Sequence, residues 1–157
     1  MPWDLDADFQ ITEVDLYYLA AYHNMSTYYY KHEEEEDGRL YLLDVNPHYN
    51  NRDPEDQLNV IDARWIDTRN GLYIDITAAR YYKNHPRGDG IMYDKAAHMY
   101  RDTYVFPLRN TTFEGVAARI PYKYEDMLES EYGEDALSKT ELDNGYRFDD
   151  EKMEWVK

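Results

Sequence analysis

IDARWIDTRNGLYIDIT (Ile61–Thr77) consists of two apolar–polar stretches that meet at Asn70-Gly71. Asn-Gly tolerates the positive φ of a tight turn, and between such stretches it predicts a β-hairpin. The strands are read as Val60–Asp67 and Leu72–Thr77, joined through Thr68, Arg69, Asn70 and Gly71. On the second strand Leu72, Ile74 and Ile76 take the core side, and Tyr73, Asp75 and Thr77 the other.

Outward from the hairpin, WDLDADFQI (Trp3–Ile11) alternates strictly. Trp3, Leu5, Ala7, Phe9 and Ile11 share one side, and Asp4, Asp6, Asp8 and Gln10 the other, the period of a half-buried strand. Thr12, with Asp15 three positions on, forms a capping-box-like start to a helix running to about Asn24. Its core side is Leu16, Leu19, Ala20 and His23. The run Glu33–Asp37 before Gly38 reads as an exposed turn, Arg39–Val45 as a strand, and Asn46–Asn59 as a long polar loop with two prolines. Residues 80–102 read as irregular with a short helical piece around Lys95–Tyr100. Tyr104–Leu108 and Thr112–Ala118 read as strands. Pro121 suits the first turn of a helix carrying Tyr124, Met127, Leu128 and Tyr132 on one side and stopped by Gly133. Residues 1–133 are read as the folded core and 134–157 as an acidic extension.

A chain of 157 residues is one domain's worth, and 43% hydrophobic content separates it from disordered acidic segments despite a mean hydropathy of -0.92. Its formal net charge of -16 disfavours nucleic acid and anionic membrane as partners. Cysteine is absent, which excludes disulfides and thiol nucleophiles. No apolar stretch approaches the roughly 20 residues of a membrane span. The 18 tyrosines offer large contact areas with a hydroxyl, suited to lining a polar groove. Asn24-Met25-Ser26 and Asn110-Thr111-Thr112 match the glycosylation acceptor pattern, while His85 and His98 lack a zinc-type spacing.

The acids of the first strand are the sharpest chemical feature. Carboxylates at i and i+2 on one strand face lie about 6.6 Å apart and can converge on a hard, oxygen-seeking cation such as Mg2+. Asp75 sits mid-strand between Ile74 and Ile76, where a carboxylate requires a metal, an arginine or water. Arg64 on the neighbouring strand is one such partner. With Asp6 and Asp8, Asp75 would complete a three-carboxylate site for metal-assisted phosphoryl chemistry. Bases concentrate between Arg80 and Arg109, six against three acids, although residues 125–157 hold twelve acids and four bases. A diphosphate needs such a patch.

PWDLDAD (Pro2–Asp8), the Ile61–Thr77 stretch, FPL (Phe106–Leu108), FEG (Phe113–Gly115) and PYKYEDMLESEYG (Pro121–Gly133) together resemble the LicD/fukutin family, closest to its fungal mannosylphosphate transferase branch. The resemblance implies an α+β fold, a nucleotidyltransferase-like mixed β-sheet with flanking helices. It implies transfer of mannose phosphate from GDP-mannose to a mannose hydroxyl of a glycan, with Mg2+ or Mn2+ as cofactor and the Golgi lumen as location. Asp6 and Asp8 match the family's metal-binding pair, with Asp4 beside them, and Asp75 matches the later acidic position. These are the expected metal ligands, and Asp6, Asp8 and Asp75 the expected catalytic groups. Arg80, Lys83, Arg101 and Arg109 are the expected donor-phosphate contacts.

Family domains place a helix and a strand bearing a glycine–serine/threonine turn before the PWD segment, whereas this sequence starts at Met1. The fold is therefore expected to lack that first helix and strand, leaving a sheet edge for a partner subunit to cover. A non-catalytic glycan-binding or regulatory subunit with the same fold is the alternative function.

Overall fold

The computed structural model describes residues 7–32, 36–53, 60–113, 115–142, 145–152 and 154–157. Of these, the residues up to Met99 form one compact unit and those from Tyr100 onward a second.

The first unit is a mixed sheet with a helix on one face. Its strands are β1 (Asp8–Thr12), β2 (Thr27–Tyr30), β3 (Arg39–Val45), β4 (Ala63–Asp67), β5 (Tyr73–Tyr81) and β6 (Ile91–Tyr93), and the helix is α1 (Glu13–Tyr22). Strands β2 to β6 lie in sequence order, their pairings antiparallel, while β1 pairs parallel to β5. The α+β expectation is met.

Thr12 caps α1 as its sequence predicts: its hydroxyl oxygen accepts the Asp15 N–H at 3.2 Å. Glu13 and Asp15 add negative charge at the positive end of the helix dipole. Leu16 is fully buried and joins Leu43, Val45, Ala63 and Ala78 in the core, with Leu19, Ala20, Ile11, Trp65 and Ile76 packed around them. Each fully buried Leu or Val in that cluster contributes roughly 1.5–3 kcal/mol. At the helix end Met25 takes a positive φ of 60°, and backbone hydrogen bonds between Met25 and Leu43 and between Ser26 and Leu43 turn the chain into β2.

The predicted hairpin forms, with Ala63 opposite Ile76, Arg64 opposite Asp75 and Trp65 opposite Ile74. Ile74 and Ile76 take the core side, but Leu72 does not, being 70% exposed where the turn precedes β5. The edge strand β2 was not anticipated; all four of its residues are exposed, so burial left no alternation to read.

The helical piece expected around Lys95–Tyr100 is instead a turn between β6 and β7 (Met99–Arg101), the strand at which the first unit ends. The Asp94 side chain decides this. Its Oδ1 accepts N–H groups from Ala96 and His98, and Ala97 takes a φ of 71°. A short acid that hydrogen-bonds to backbone two residues on competes with helix formation.

In the second unit Tyr104–Leu108 is not a strand. Asp102–Val105 forms the short helix α2, then β8 (Arg109–Phe113) and β9 (Val116–Ile120) make a hairpin around Gly115, whose φ is 79°. Helix α3 (Tyr124–Tyr132) ends at Gly133 as expected. None of its residues is fully buried, and Tyr132 is among the exposed aromatics. Strands β10 (Arg147–Asp149) and β11 (Glu154–Val156) pair near the C-terminus, with Phe148 against Trp155.

Candidate functional site

Four charged residues occupy one lateral row across the first unit's sheet. Asp44 on β3 stands opposite Arg64 on β4, Arg64 opposite Asp75 on β5, and Asp75 opposite Asp8 on β1. Strand spacing puts neighbouring members about 4.8 Å apart at the backbone. Phe9 and Ile76, which follow Asp8 and Asp75 in register, line a groove on the α1 side. Alternation therefore sends the two acids to the face of these strands opposite the α1 side.

Arg64 donates from Nε to Asp75 Oδ1 at 2.7 Å, and its guanidinium lies 4.3 Å from the centre of the Tyr73 ring. The hydrogen bond to Asp75 is the chief reason that the Arg64 pKa stands above its ordinary value. One guanidinium thus faces three carboxylates in the row. The surplus is negative and made of hard oxygens. Asp8 and Asp75 are therefore of the right chemistry for a divalent cation of the Mg2+ type, which takes one or two carboxylates and keeps waters for a phosphate to displace.

Asp4 and Asp6, the other expected ligands, lie outside the described residues. Among the described residues no group of three His, Asp or Glu side chains forms a metal cluster.

The expected phosphate contacts have different fates. Arg80 is 1% exposed. Its Nη2 lies 2.6 Å from Asp62 Oδ1, and the Lys95 ammonium lies 3.1 Å from the same oxygen, all three side chains being fully buried. Glu13 approaches the Arg80 Nε at 3.8 Å. The Arg80 charge is thereby committed to holding the loop before β4 against β5. Lys83 is exposed beyond the end of β5. Arg101 and Arg109 belong to the second unit, both exposed, and the Arg109 guanidinium lies 5.3 Å from the Tyr124 ring centre.

Two features escaped the sequence reading. Arg52, within the polar loop, donates from Nη1 to both Glu13 oxygens at 2.7 and 2.6 Å and from Nη2 to the Tyr81 carbonyl. The other is an apolar cavity of about 340 Å3 on the α1 side, bounded by Phe9, Leu19, Tyr28, Trp65, Ile74 and Ile76. Exposed Tyr18, Tyr22, Tyr29 and Tyr30 carry much of the unit's tyrosine at its surface. Asn24, the first of the two glycosylation-pattern asparagines, accepts the Val45 N–H through its side-chain oxygen at 2.9 Å.

No helix among the described residues is long and apolar enough to cross a membrane. Comparison with known proteins gives two relatives from Saccharomyces cerevisiae. One, described as "Mannosyltransferase regulator 14", is 33% identical over 99% of this chain and 14% of its own length. The other, described as "Mannosyltransferase regulator 4", is 42% identical over 48% of this chain and 6% of its own length. The chain thus spans a small part of each. Residues 1–123, which include every member of the charged row, match the family described as LicD/FKTN/FKRP, nucleotidyltransferase domain, and the chain belongs to that family.

Proposed function

We propose that this chain is the core of a metal-dependent mannosylphosphate transferase, moving mannose phosphate from GDP-mannose to a mannose hydroxyl of a glycan in the Golgi lumen. The observation that carries the reading is the register of Asp8 with Asp75, two carboxylates brought together from strands more than sixty residues apart. Asp8 and Asp75, with Asp4 and Asp6 as further ligands, would hold Mg2+ or Mn2+, which would supply neutralisation of diphosphate oxygens and of the departing phosphate.

The residues themselves have separable tasks. Arg64 holds one oxygen of Asp75 and so fixes the carboxylate's orientation. In this reading the carboxylate so held is the base that takes the proton of an acceptor hydroxyl. That hydroxyl attacks the phosphorus bonded to mannose, the bond from this phosphorus to the GMP oxygen breaks, and GMP leaves. The product is a mannose–phosphate–mannose diester. A partner subunit against the side of β1 away from β5, which is unpaired among the described residues, belongs to the same proposal.

The relatives' description as regulators favours a second reading: a non-catalytic subunit that keeps the fold and binds glycan. Calorimetric titration of GDP-mannose, with and without Mn2+, separates the two. The transferase reading expects Mn2+-dependent binding that disappears in Asp6→Asn and Asp75→Asn while circular dichroism stays unchanged. Binding of a mannose oligosaccharide alone, indifferent to metal and to both substitutions, would establish the regulatory reading instead.

A further inference from the structure

At the far end of β5 from Asp75, six residues or roughly 20 Å along the strand, lies a second pocket of about 190 Å3. Arg52, Tyr81, Tyr82, Lys83 and Tyr93 line it. We propose that it is a metal-independent binding site for a phosphorylated monosaccharide.

The pocket is held in shape before any ligand arrives. Glu13 grips the Arg52 guanidinium through both carboxylate oxygens, and the Tyr81 carbonyl takes a third N–H. The buried Tyr93 donates its hydroxyl to the Arg52 carbonyl at 2.6 Å. Tyr82 packs on Tyr93 with ring centres 5.4 Å apart and on His85 at 5.0 Å. Groups fixed by other contacts lose little freedom on binding.

What remains unengaged defines the ligand. A guanidinium has five N–H donors. Glu13 and the Tyr81 carbonyl engage three of them, and the Tyr93 hydroxyl lies beside the same guanidinium, on a side chain that is 37% exposed. Lys83 is exposed and makes no ion pair among the described residues. Glu13 offsets Arg52, so among the described residues lining the pocket the Lys83 charge is uncompensated. In a chain of net charge -16 this local cation selects an anion, and paired Arg and Lys donors suit phosphate oxygens. Tyr82, beside the cation, offers an apolar ring face to sugar C–H groups and a hydroxyl to a sugar O–H group. The volume suits one small ring with its phosphate and is too small for a nucleotide sugar.

The test uses the whole chain in EDTA, titrated with mannose 6-phosphate, mannose and inorganic phosphate. The choice of mannose rests on the transferase reading; the pocket itself specifies only a phosphorylated sugar ring. Mannose 6-phosphate is expected to bind at least about tenfold tighter than either fragment. Lys83→Gln, an exposed change that leaves the fold intact, is expected to weaken it by about tenfold. Tyr82→Leu should reduce the preference over inorganic phosphate. Asp75→Asn should change nothing, so failure of GDP-mannose binding at the acid row leaves this site standing. Mannose 6-phosphate binding no tighter than phosphate, or binding that survives Lys83→Gln but is lost in Asp75→Asn, overturns the proposal.

Discussion

Asp8 and Asp75 are register partners on adjacent parallel strands, and Arg64 lies on the other side of Asp75, 2.7 Å from its carboxylate. An acid flanked by a base on one side and by a second acid on the other is half compensated. That arrangement pairs one side of Asp75 with a base and sets a second acid on its other side.

Removing the base should expose this balance. Arg64→Gln is expected to lower stability by about 1 kcal/mol or less, because Arg64 is partly exposed and such pairs are screened. The variant should gain more from Mn2+ than the parent does, since ligation of the folded state then relieves the Asp8–Asp75 repulsion. Differential scanning of both proteins with and without Mn2+ reads the difference. An equal metal-induced shift in Tm would argue that these two acids do not share a cation.

The Asp62–Arg80–Lys95 cluster predicts a structural rather than a donor-binding phenotype. Asp62→Ala leaves two fully buried cations without their shared carboxylate, and breaking a buried pair from one side costs about 3–5 kcal/mol. Urea unfolding should show that loss. Were Arg80 a donor contact instead, Asp62→Ala would alter nucleotide-sugar affinity with little change in the midpoint.

Gly71 takes a φ of 76° in the β4–β5 turn, with open space where a Cβ would stand. The cost of Gly71→Ala is therefore backbone strain alone, about 1 kcal/mol. A denaturation midpoint equal to that of the parent would show that the turn relaxes to a negative φ.

Asp67 supplies a pH dependence. Its carboxylate accepts the Arg69 N–H at 2.9 Å and pairs with Arg39 at 3.1 Å, and these contacts, the backbone bond foremost, hold its pKa below the ordinary 3.8. A depressed folded pKa contributes stability that is fully present above the unfolded value. It is lost as pH falls through the folded one. Asp67→Asn should flatten that part of the acid limb below about pH 4 in stability measured against pH. An acid limb identical in both proteins would place the dependence on other carboxylates.

Much of this chain could be read locally. The Asn70-Gly71 turn, the Thr12 cap and strand Arg39–Val45 each follow from interactions within a few residues, so their residue types betray them. The Lys95 segment and Tyr104–Leu108 misled because a side-chain contact, Asp94 with the Ala96 and His98 backbone, and the helix at Asp102 outweighed propensity. Strand alternation also showed that Asp8 and Asp75 would leave the core side of their strands. It could not show that they are neighbours. A period of two specifies a face, whereas the residue alongside depends on which strand lies next and in what register, and β1 meets β5 across more than sixty intervening residues. The same holds for the bases. Arg80 looked like its neighbour Lys83 until the folded sheet buried one against Asp62 and left the other at the mouth of a tyrosine-lined pocket. Charge is a property of the residue, but desolvation and pairing belong to the packed chain, and these decide which cations hold the fold and which remain able to meet a ligand.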